Sequence, residues 1–174
     1  EGSRDAAMLV TVPAGSYTIQ VTGAGTGTAA QGISAVEVYE ADSSAGTLVN
    51  LSCRARVGTG GDVLIAGFVI RGSQPRRLLV RAVGPTLADL GVTGTLADPK
   101  IEVTAQADGK TVGSNDNWDA SLASTFTSVG AFALRTGSKD AALVLTLPPG
   151  AYTATVSGVG TSTGIAIVEV YDLP

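Results

Sequence analysis

The chain has 174 residues, 44% of them apolar and only 15% charged, with a net charge of −4. The apolar content excludes a disordered chain, and no apolar run nears the ~20 residues of a membrane-spanning helix. The acidic balance, with no basic cluster longer than Arg76-Arg77, excludes the concentrated positive footprint of a nucleic-acid binder.

The first segment is a repeat of the last. Residues 3–23 read SRDAAMLVTVPAGSYTIQVTG and residues 138–158 read SKDAALVLTLPPGAYTATVSG, with about half the positions identical. After a Gly/Thr loop the match resumes, GISAVEVYE at 32–40 against GIAIVEVYD at 164–172, and the first copy carries three extra loop residues, Ala29-Ala30-Gln31. Each copy predicts three strands. Met8, Val10 and Val12 share a face of the first strand, and Tyr17, Ile19 and Val21 share a face of the second, opposite Thr18, Gln20 and Thr22. That period of two marks a sheet with one buried and one wet face. Pro13-Ala14-Gly15 and Pro148-Pro149-Gly150 are turns, proline fixing φ and glycine admitting positive φ.

Between the copies lies a block that occurs once, with strands predicted near 50–57, 62–71, 76–84 and 100–107, and a further one at 109–113. The run Val63-Leu64-Ile65-Ala66-Gly67-Phe68-Val69-Ile70 is apolar throughout, as in a strand buried on both faces. In the strand at 50–57, Cys53 alternates with Ser52 and Arg54, which places it on the apolar face as a small buried hydrophobe; as the only cysteine it forms no disulfide within the chain. Arg76, Arg77 and Arg81 suggest a solvated stripe, since Arg77 and Arg81 share a strand face. Residues 119–132 form the one predicted helix, capped by Asp119 or Ser121, with Leu122, Phe126 and Val129 on one side.

The order is tail, head, tail. The expected fold is an all-β antiparallel sandwich, jelly-roll-like, with one short helix: residues 47–174 a complete repeat, residues 1–46 the three-stranded closing half of another. Three strands with one apolar face are marginal alone, so Met8, Val10, Val12, Tyr17 and Ile19 are candidate assembly residues.

The phrase LPPGAYTATVSG resembles the closing strands of pre-peptidase C-terminal-type sandwiches. The longer pattern NLSCRARVGTGGDVLIAGFVIRG, LLVRAVGPTLADLGVTGTLADP and SNDNW is similar to a tandem repeat of large exported bacterial proteins of the Verrucomicrobia type. The resemblance covers nearly the whole chain. It implies an extracellular, non-catalytic module found in arrays, and no activity.

The chemistry agrees with that reading. The chain has no histidine, which removes Ser-His-Asp and Cys-His catalysis and the commonest zinc ligand. Its acidic residues are scattered over turns and wet faces, with no carboxylate pair across a cleft. Asn115, Asn117 and Asp119 present hard oxygens at alternate positions, as a calcium loop does. The pattern lacks the sharp-turn glycine and the terminal glutamate. It equally fits an Asx-rich turn capping the helix.

Three functions follow. The first is a structural module or filament subunit, self-associating head to tail as a homopolymer through uncovered strands. The second is an adhesion or polysaccharide-binding module, calcium-assisted, using Trp118, Tyr39 and Tyr171. The third is a fragment of a long repeat array.

Overall fold

A computed structural model describes residues 5–41 and 46–174. The chain divides into two compact units, 1–48 and 49–174.

The second unit is an antiparallel β-sandwich of eight strands. In chain order these are β1 (Asn50–Val57), β2 (Leu64–Ile70), β3 (Arg76–Val83), β4 (Pro99–Ala105), β5 (Thr111–Asn115), β6 (Ala141–Leu147), β7 (Gly150–Gly158) and β8 (Gly164–Asp172). One sheet has the order β1-β8-β3-β6 and the other β2-β7-β4-β5. The ladders join β1 to β8, β2 to β7, β3 to β6 and β4 to β5, with β3 also on β8 and β4 on β7. A long hairpin rolled over into two sheets has this pairing, which is the jelly roll.

Two cores follow from the layering. Between the sheets lie Val57, Val80, Ala82, Ile101, Val103, Ala154, Val156 and Val168, with Tyr152 stacked on Phe68 at a centroid distance of 5.6 Å. On the far side of the β3-containing sheet, Leu79, Val83, Leu87, Phe126, Leu134, Tyr171 and Leu173 form a second cluster. The β3–β4 connection contributes Leu87 to it, from the 3₁₀ turn Pro85–Leu90. The β5–β6 connection contributes Phe126, from the helix α1 (Ala123–Ser128). α1 is shorter than the helix expected over 119–132. It follows a 3₁₀ turn at Ala120–Leu122, and the chain reverses at Gly130, whose φ of 69° favours glycine.

The doubly buried strand is therefore β3, whose last six residues are all buried. The expectation for Val63–Ile70 is corrected: β2 is an edge strand, and Ile65 and Val69 face solvent. An apolar run reports local composition, whereas double burial comes from sheet position and from loops folding over the outer face. Cys53 is corrected likewise. It lies on the exposed part of the edge strand β1, where burial begins only toward Ala55 and Val57.

The first unit departs from its expected three strands. Among its described residues no strand is paired, and its regular element is a 3₁₀ turn at Gly27–Ala30. The second unit supplies the reason. Its closing strands β6, β7 and β8 never pair with one another: β6 and β8 flank β3, and β7 belongs to the other sheet. Every ladder partner of the second unit's closing half lies in its opening half, and residues 5–41 repeat the closing half alone.

Candidate functional site

The most densely bonded polar region joins the opening half of the sandwich to its closing half. Arg81 on β3 stands opposite Glu169 on β8. The Arg81 Nε donates to Glu169 Oε2 at 2.7 Å, Nη2 lies 2.5 Å from the same oxygen, and Nη1 donates to the Phe132 carbonyl at 2.7 Å. Both side chains are out of water. The guanidinium carbon lies 4.5 Å from the ring centroid of Phe132, 4.9 Å from that of Phe126 and 5.7 Å from that of Tyr171, so the cation is held by aromatic faces as well as by the carboxylate. Tyr171 donates its hydroxyl to Glu169 Oε1 at 3.0 Å. Burial, reinforced by the neighbouring Glu169 charge and opposed by Arg81, pushes its phenol up to about 12.

A second joint is centred on Asp140, the residue before β6. Asp140, fully buried, accepts from the Gly84 amide at 2.7 Å and the Thr86 amide at 3.3 Å through Oδ1. Its Oδ2 accepts from the Thr86 hydroxyl and, at 2.5 Å, from the Ser138 hydroxyl. The Trp118 indole donates to that Ser138 hydroxyl at 3.1 Å. A side chain on Gly84 would drive into the Leu96 carbonyl, so the tight approach requires glycine. Pro85 opens the following 3₁₀ turn. The sequence phrases RAVGPT and SKDAA thus meet here as the two halves of one structural joint.

Sequence reasoning missed this site because an arginine at a solvated spacing was read as a surface residue. Arg76 and Arg77 are exposed, but Arg81 is not. The signal was available: Glu169 recurs at the same place in the first copy as Glu37, followed in each case by Val-Tyr.

The residues proposed for calcium are differently engaged. Asn115, at the end of β5, accepts from the Ala142 amide at 3.0 Å and donates to the Asn117 carbonyl at 2.9 Å. Asn117 donates to Asp116 at 3.2 Å. Asp119 accepts from the Ser121 amide at 2.8 Å, which caps the 3₁₀ turn and lowers the carboxyl pKa. These bonds form an Asx-rich turn. Among the described residues no group of three or more His, Cys, Asp or Glu is placed to hold a metal. Of the aromatic residues considered for sugar contact, Trp118 packs on Phe126 and Tyr171 is buried, while Tyr39 is exposed.

The candidate assembly residues Met8, Val10, Val12, Tyr17 and Ile19 are all exposed, together with Val21, Val36 and Tyr39. Aligned residues in the second copy are buried, or half-buried in the case of Leu143 and Leu145: Tyr17 is 57% exposed and Tyr152 5%, Val21 53% and Val156 0%. Local geometry is nevertheless shared. Tyr17 donates to the Pro13 carbonyl at 2.7 Å, as Tyr152 does to Pro148 at 2.9 Å. Tyr39 donates to Glu37 at 3.1 Å, repeating the Tyr171–Glu169 bond. The first unit has the closing half's local bonds without its ladders.

Among the described residues, no helix is long and apolar enough to cross a membrane. No protein-family model matches the chain, and no curated protein does either. Among solved structures it is similar to the pre-peptidase C-terminal domain of a collagenase from Bacillus anthracis, at 10% identity and a TM-score of 0.44, over 70% of this chain and 89% of that one.

Proposed function

We propose that this chain is a non-catalytic extracellular structural module, and that residues 5–41 are its assembly element, associating head to tail with another repeat. One observation carries the reading. The first unit has the sequence and local bonds of a closing half, yet exposes the residues that the second copy buries wholly or in part. Apolar strand segments without ladder partners are templates for pairing with another chain. A contact between two different surfaces repeats without closing on itself unless symmetry intervenes.

Light scattering of the full chain over a concentration series, with negative-stain microscopy at the upper end, tests this. Mass that grows with concentration and elongated particles are expected. A monomer at every concentration would overturn the assembly role.

A further inference from the structure

We infer that the occupant of residues 5–41 is the opening half of another repeat of this type. The inference rests on reading those residues as an incomplete closing half, and it names what completes them.

The second copy shows what covers such a half. Its β6 is paired by β3, its β7 by β2 and β4, and its β8 by β1 and β3. The partner of Glu169 there is Arg81, from the middle of the opening half. Glu37 stands at the aligned position in the first unit, with Tyr39 bonded to it as Tyr171 is to Glu169. Residues 5–41 contain no Lys or Arg of their own. Burying Glu37 beneath an apolar partner would strand a charge, so the occupant must bring a cation in that register. An opening half brings both the apolar ladder and the arginine.

The test places residues 49–135 before Glu1 of the full chain, so that Gly2 stands where Gly137 does. Chymotrypsin cleavage after Tyr17 and Tyr39 is followed by mass spectrometry, with the original sandwich as internal standard. Those cuts should slow by about 100-fold or more relative to the unextended chain, because a completed sandwich must open before it is cut. Glu37→Arg in the extended chain should restore most of the cleavage, and Arg→Glu at the added copy's equivalent of Arg81 should then recover the protection. Unchanged cleavage on extension would overturn the occupant. Protection that ignores the charge changes would overturn the arginine pairing. Cleavage is run at a dilution where light scattering shows both chains monomeric, so the two proposals fail separately.

Discussion

Arg81 and Glu169 face each other across the β3–β8 ladder, with the guanidinium Nε 2.7 Å from the carboxylate and both side chains excluded from water. A pair in that setting is costly to break from one side, because the remaining charge stays buried. Glu169→Gln should destabilise the sandwich by about 3–5 kcal/mol, read from urea unfolding. Replacing both residues, Arg81→Met with Glu169→Leu, should recover more than half of that loss. A double variant no better than the single would show that the ion pair itself is not the issue.

Asp140 closes the other joint by accepting from Gly84, Thr86 and Ser138. Asp140→Ala leaves two buried amides and two hydroxyls without their acceptor. A loss on the order of 3 kcal/mol is expected in the same unfolding measurement. Gly84→Ala, which forces a methyl group against the Leu96 carbonyl, should cost about 1–3 kcal/mol.

Tyr171 gives the fold an alkaline limit. Its phenol is raised to about 12 in the folded state, against about 10 for an unfolded tyrosine. Between those values the folded chain holds a proton that the unfolded chain has released. Stability is therefore full below pH 10 and falls as pH rises toward 12, by about 2 kcal/mol across the window. Tyr171→Phe should flatten that part of the stability curve. An unchanged slope in the variant would assign the alkaline loss to other groups.

The Asn115, Asn117 and Asp119 side chains are engaged in hydrogen bonds within residues 115–121 and to the Ala142 amide of β6. Chelation with EDTA should shift the thermal midpoint by less than about 1 °C, since a ligand binding only the folded state would raise it measurably. A drop of several degrees on chelation, restored by calcium, would reinstate these residues as ligands.

Much of the sandwich was legible in the sequence because its strands alternate with period two and its turns carry Pro and Gly. The segments predicted at 50–57, 76–84, 100–107 and 109–113 all correspond to strands. Sheet position was not legible. The apolar run at 63–70 forms an edge strand, while residues 78–83 of the arginine-bearing segment lie buried on both faces. Burial on the outer face of β3 depends on two long connections whose docking no local periodicity reveals, and Arg81 satisfies its charge through Glu169, 88 residues away. The repeat revealed the closing half but not its ladder partners. Reading three adjacent amphipathic segments as a three-stranded unit failed because a jelly roll pairs its strands across its two halves.

The most direct test of the central claim, that residues 5–41 form a closing half still awaiting its ladders, is amide hydrogen exchange on the dilute full chain. Aligned segments within one molecule provide the comparison. Amides in 8–12, 17–22 and 36–39 should exchange at nearly unprotected rates, while those in 143–147, 152–157 and 168–171 exchange by about 100-fold or more slower. Equal protection of the two sets would contradict the account, because it would mean that the first copy already has its partners.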